Sequence, residues 1–275
     1  MDKIEMSHTE QTAYFALLRE GIVVVNPILL SKILKISLDW ARKLLNRLMH
    51  KGILSHIGKG KYVVISSDVL HKRKSFINDP QFVVDQLMAI EKKEYYLAYL
   101  SAAHLYGILH QLPFVTQVAL LKRHQTIKLG NTKIQFITIQ KRKFFGVTEM
   151  KYGENLIKVS DLEKTFIDCL DRFDLCGGIE EVARTISSAI DRVNGKKIIK
   201  YIKQMDNQSL TQRMGFILEK LQKKGIHIPE NIIEKLSTMG NFIPCLLDPH
   251  SPRRGKKSEK WNLIENVDIT PGLGC

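Results

Sequence analysis

Apolar and polar positions follow two different periods along the first 66 residues. In HTEQTAYFALLRE (8–20), Ala13, Ala16 and Leu17 recur at helical spacing, with Phe15 and Leu18 beside them. Ser7 or Thr9 stands where an N-cap belongs, and Gly21 ends the run. IVVV (22–25) is a short β-like stretch. Asn26 followed by Pro27 predicts a capped helix start, because proline's missing N–H costs nothing in a first turn. That helix, PILLSKILK, is about two turns long. Ser37 caps a third helix, LDWARKLLNRLMHK (38–51), closed by Gly52. Beyond Gly52 the period shortens: ILSHI (53–57), the turn GKGK (58–61) and YVVIS (62–66) predict a β-hairpin. The order helix, strand, helix, turn, helix, hairpin is that of a winged helix-turn-helix, which places its last helix in the major groove.

The rest of the chain mixes both periods. Residues 67–79 are polar and basic and predict a linker. Helical patterns cover 82–93 and 95–109, and β-like runs cover 115–121 and 133–139 around a polar GNTK turn. NLIKVS (155–160) leads into a helix at 161–173, which LCGG (175–178) breaks. Further helices are expected at 179–192, 195–205 and 208–224, before a tail with apolar runs at 242–247 and 261–267. The expected fold class is α+β: a winged helix-turn-helix over 1–66, a linker over 67–79 and a larger mixed α/β domain over 80–275. No run of about 18 apolar residues suggests a membrane span. The first residues do not pattern as a signal peptide, and the four cysteines form no CxxC pair. A reduced, cytoplasmic setting with no metal and no cofactor is the expectation.

Charge sharpens this picture. Lys and Arg number 42 against 28 acids, a net charge of +14. Such a balance favours a polyanionic partner: DNA, RNA or an anionic membrane surface. Residues 1–66 hold ten Lys/Arg and five Asp/Glu, and four of those acids lie in or before the first helix. On the third helix Ala41, Leu44, Leu45 and Leu48 form an apolar stripe, while Asp39, Trp40, Arg42, Lys43, Asn46, Arg47 and His50 fill the opposite face. Lys and Arg can donate to guanine O6 and N7, and Asn can pair with adenine. Ser37, Trp40, Lys43, Asn46 and Arg47 are therefore candidate contacts to double-stranded DNA. Trp40 has two readings, stacking at the backbone or closing the side of the core. His56, Lys59 and Lys61 on the wing can meet phosphates, or the wing is a plain solvated turn. Two further basic stretches are auxiliary candidates: Lys141, Arg142 and Lys143, and Arg253, Arg254, Lys256 and Lys257 beside Trp261, a residue able to stack. They equally fit solvated loops.

Enzyme motifs do not appear. The sequence has no GxxxxGK[ST], no GxGxxG after a strand, no HExxH and no GxSxG. Asp161, Glu163, Asp168 and Asp171 are the densest acids, but their spacing does not converge. They read as the solvated face and N-terminal charge complement of a core helix.

The order of GKGKY, then AYLSAAHLYGIL, then VSDLEKTFIDCLDRFDLCGGIEEVA, then QRMGFILE, then LDP and WNLIEN resembles the AbiEi antitoxins and related transcriptional regulators, over about residues 8–267. The resemblance implies the antitoxin half of a type IV toxin–antitoxin pair linked to abortive phage infection. Its winged helix would bind repeats in its own promoter, with Trp40, Lys43, Asn46 and Arg47 at the DNA. The implied partner is a nucleotidyltransferase-like toxin, with or without a stable complex. No enzyme activity is implied. The alternatives are a stand-alone regulator of the same family, or a nucleic-acid-processing enzyme targeted by its winged helix.

Overall fold

The computed structural model describes residues 5–65, 79–109, 113–153, 155–229, 231–240 and 242–270. The fold is α+β. Its contacts group into two compact units that are discontinuous in sequence. The first contains Met1–Tyr95, Phe114–Val118 and Arg123–Phe136; the second contains Tyr96–Pro113, Ala119–Lys122 and Ile137–Cys275. The expected linker lies outside the described residues except for Asp79.

The first unit begins with α1 (His8–Arg19), β1 (Val24–Val25), α2 (Pro27–Leu34), α3 (Leu38–His50), β2 (Leu54–Gly58) and β3 (Lys61–Val64). Each helix starts where a side chain answers an orphan backbone N–H. Ser7 and Glu10 form a reciprocal capping box. The Asn26 side-chain amide oxygen accepts from the Leu29 N–H at 2.8 Å, and the Ser37 hydroxyl accepts from the Trp40 N–H at 3.2 Å. The strands form an antiparallel sheet in the order β1-β3-β2. The stripe Ala41, Leu44, Leu45 and Leu48 is buried against Ala13, Leu17 and Leu30. Burying each such leucine is worth about 1.5–3 kcal/mol.

Later chain completes this unit. Asp79 caps α4 (Pro80–Glu91). From that helix the Gln86 amide accepts from the N–H groups of Val23 and Val24 at 2.7 and 2.9 Å and donates to the Gly21 carbonyl at 2.8 Å. A two-residue strand is thus held on its second side by one side chain. At the end of α4, Glu91 meets Lys61 at 2.9 Å, His124 at 3.3 Å and also Lys93. Burial pushes the Glu91 carboxyl up, but hydrogen bonds from Lys93 and Lys61 outweigh it and hold it at about 2. A hairpin of β6 (Ile127–Leu129) and the first part of β7 (Thr132–Thr138) also belongs here.

The expected helix over 95–109 is corrected. Tyr95–Leu97 is strand β4, and α5 spans only Tyr99–Leu105. All three strand residues are buried, and Tyr99 takes a φ of 54° where strand turns into helix. A run covered on both faces shows no period, so strand and helix look alike in sequence. The run predicted at 115–121 is β5 (Val115–Leu120).

In the second unit β4 pairs parallel with β9 (Asn155–Ser160), and β9 pairs antiparallel with β8 (Val147–Tyr152). Neither β6 nor β8 was expected from sequence. Helices α6 (Leu162–Asp171), α7 (Ile179–Ser187), α8 (Gly195–Met205), α9 (Gln208–Lys223) and α10 (Ile232–Ser237) supply most of the core. The expected helix 179–192 ends early, at Ser187, and Ile190–Arg192 is a 3-10 turn. A small sheet closes the unit in the order β10 (Cys245–Leu246), β12 (Leu263–Glu265), β11 (Lys256–Ser258). Trp261 is fully buried, and its indole N–H donates to Glu219 at 2.7 Å. A Cβ on Gly215 would lie 2.1 Å from its ring, so only glycine admits the indole there.

Candidate nucleic-acid interface

The outer face of α3 is built by position alone. With the leucine stripe inward, helical geometry turns Arg42, Lys43, Asn46, Arg47 and His50 to solvent, and all five are exposed. Trp40 is half-buried, and the Arg47 guanidinium lies 5.1 Å from its ring centroid. The two earlier readings of Trp40 thus meet: part of the ring packs, and part supports an exposed cation. Arg42 is turned aside by Asp39 at 2.8 Å. Lys43 has no acidic partner within salt-bridge distance among the described residues. Ser37 is exposed, with its hydroxyl engaged in the helix cap.

One contact joins α3 and the β2–β3 hairpin. Tyr62 on β3 donates its hydroxyl to the Asn46 carbonyl oxygen at 3.0 Å, and its ring lies 5.3 Å from that of His56. Tyr62 is 7% exposed. It holds one lone pair of the Asn46 amide oxygen; the exposed amide also carries two N–H donors and a second lone pair. Sequence reading named Asn46 and His56 but missed Tyr62, whose apolar position in the strand pattern was its only signal.

The hairpin turn separates its two lysines. Lys59, exposed at the turn, takes a φ of 48°, followed by Gly60 at 68°. Lys61 is engaged with Glu91, and its side chain is 14% exposed. Lys59 is therefore the hairpin's outward cation. A cleft of about 680 Å³ beside it is also lined by Lys93, Arg123 and His124. These three residues come from distant sequence and have no local signal.

The auxiliary basic stretches are less available. Arg142 donates to the Met205 carbonyl at 2.8 Å, and Lys143 pairs with Asp171. Lys141 is exposed. Arg253, Arg254, Lys256 and Lys257 are exposed, with Lys257 3.0 Å from Glu259. The buried indole of Trp261 corrects the idea that it stacks with a ligand beside them.

The acids of α6 are also corrected. They are not a solvated face. Asp161 caps the helix, accepting from the Lys164 N–H at 2.8 Å and from the Tyr201 hydroxyl at 2.7 Å. Lys197 bridges Asp161 at 3.0 Å and Glu163 at 3.1 Å. Lys164, fully buried, pairs with Asp168, donates to the Tyr96 hydroxyl at 3.1 Å and lies 4.7 Å from the centroid of Phe145. Tyr96 donates to the other Asp168 oxygen at 3.1 Å. Burial drives the Asp168 carboxyl up against the opposing pull of Lys164. Each acid is thus matched by a cation. Among the described residues no three His, Cys, Asp or Glu side chains gather as a metal site would need. No helix among them is long and apolar enough to cross a membrane.

Comparison with known proteins bears on both units. A crystal structure of the RV2827C protein from Mycobacterium tuberculosis matches with a TM-score of 0.71, covering 98% of this chain and 94% of that one at 14% identity. At that identity the likeness is one of fold alone. No curated protein matches the sequence. Residues 96–220 match the AbiEi antitoxin C-terminal domain. Over those residues this chain is similar to the AbiEi antitoxins.

Proposed function

We propose that residues 1–66 are a winged helix-turn-helix that binds double-stranded DNA, and that the chain is a cytoplasmic, autoregulating antitoxin of a type IV toxin–antitoxin operon. The observation that carries this reading is the face of α3: Trp40, Lys43, Asn46 and Arg47 lie along the side opposite the buried leucines. Lys43 and Arg47 would supply donors to base edges or phosphates, and Asn46, oriented by Tyr62, would read adenine. Lys59 would hold a flanking phosphate. Repression would follow from occluding polymerase on repeats in the chain's own promoter. The neutralised partner would be a nucleotidyltransferase-like toxin, as the family resemblance implies.

Titration onto the operon's upstream DNA at several salt concentrations tests the reading. Specific binding should weaken by orders of magnitude between about 50 and 200 mM salt. Lys43→Ala/Arg47→Ala should flatten the salt slope by about two and lose sequence preference. Equal binding to a random duplex would overturn autoregulation. Toxin rescue in co-expressed cells, measured separately, checks the antitoxin half of the proposal.

A further inference from the structure

β8 is the last strand of its sheet, and among the described residues no strand pairs with its outer edge. Its partner β9 fixes which backbone groups that edge presents. Val147 stands opposite Ser160 and Met150 opposite Ile157. One step further, the Asp161 N–H donates to the Gly146 carbonyl at 2.7 Å, so Gly146 and Asp161 are a hydrogen-bonded pair. Bonded and non-bonded pairs alternate along an antiparallel ladder. Thr148, Met150 and Tyr152 therefore bond to β9. Val147, Glu149 and Lys151 direct their N–H and C=O groups to the open side.

Edges are normally guarded by proline, bulges or charge. β8 contains no proline, and its register with β9 runs without a shift. Val147, Glu149 and Lys151 share one face with Leu156, which is 58% exposed. Lys151 resembles a guard, but Glu149 on the same face is its complement.

We propose that β8 is a self-pairing edge at which two copies of this chain join antiparallel about a two-fold axis at Met150. In that register Glu149 faces Lys151 of the second copy, and Lys151 faces its Glu149. Both are outward-directed positions, so each pair exchanges two N–H···O bonds. Met150 meets Met150 in the closer non-bonded pair, and Thr148 meets Tyr152. Moving the axis to residue 149 sets glutamate against glutamate, and moving it to 151 sets lysine against lysine; like charges directly opposite are destabilising. The charge order selects both the occupant and the register. A single strand pair is a small interface, so the dimer forms in proportion to concentration.

Sedimentation equilibrium of the full chain over about 1 μM to 1 mM tests this. A monomer–dimer equilibrium is expected. Glu149→Lys and Lys151→Glu should each weaken it at least about tenfold. Mixed in equal amounts, these two variants should form a heterodimer, because every facing pair is then opposite in charge. The double swap should dimerise like the parent. Far-UV circular dichroism checks that the variants fold. A parent chain that stays monomeric throughout overturns the proposal. So does a dimer that neither single variant weakens, or a mixture no stronger than its components.

Discussion

Helices α3 and α6 carry the same sequence signature, an apolar stripe backed by charge, and meet opposite fates. On α3 the cations Lys43 and Arg47 stay in water. On α6 Asp161, Glu163, Asp168 and Asp171 are drawn in and matched by Lys197, Lys164 and Lys143. Only the Lys164–Asp168 pair lies within α6 itself; the other matches come from elsewhere. Lys143, Lys197 and Tyr201 reach α6 from other elements, whereas among the described residues the outer face of α3 receives the Tyr62 hydroxyl and no cation or acid from another element. A charge already satisfied inside a unit is not available to a ligand, so α3 is the helix whose charges can do chemistry outside.

The contrast breaks most readily at Lys164. Lys164→Met leaves Asp168 buried without its cation and should cost about 3–5 kcal/mol in urea unfolding. Adding Asp168→Leu should recover most of that loss, because an apolar pair no longer has to be desolvated. A single-variant loss under about 1 kcal/mol would mean that α6 is solvated like α3 after all. Gly215→Ala probes the same unit by volume alone; driving a methyl into the Trp261 ring should cost about 1–3 kcal/mol.

In the first unit, acid titration separates Glu91 from the exposed charges. Its carboxyl is held at about 2 against an ordinary 4.5. The stabilisation it gives is complete above the ordinary value and is lost as pH falls from 4.5 towards 2. Glu91→Gln should flatten the stability profile in that window while leaving its shape at neutral pH unchanged. The smallest effects belong to α3 itself. Arg42→Ala and the double variant Lys43→Ala/Arg47→Ala should each change stability by no more than about 0.5 kcal/mol, while only the double variant should weaken the proposed DNA binding. A large stability loss from the double variant would erase the distinction between the two helices.

How legible this was from sequence varied with where partners come from. Asn26-Pro27, Ser37 and Gly52 act within a few residues of themselves, and the helix starts and stops they predict are observed. The β2–β3 hairpin follows from a local change of period. The strand at Tyr95–Leu97 was misread because burial on both faces erases alternation. β8 was missed for the converse reason: its positions are mostly exposed, so no apolar period marks it. The α6 acids looked solvated because Lys197 and Tyr201 lie far along the chain, and no local spacing announces them. Trp261 looked able to stack because nothing nearby in sequence shows that Gly215 makes room for it.

The discontinuity of the first unit bears on how the protein is made. A ribosome releases the chain from its N-terminus at about 5–20 residues per second, and domains generally fold as units in that order. Here the unit that starts at the N-terminus takes in Phe114–Val118 and Arg123–Phe136 as well. His124, which meets Glu91, is among the last of these pieces to emerge. The N-terminal unit therefore reaches its final packing only when the chain through Phe136 has left the exit tunnel, and a nascent chain stalled before that point presents it unfinished.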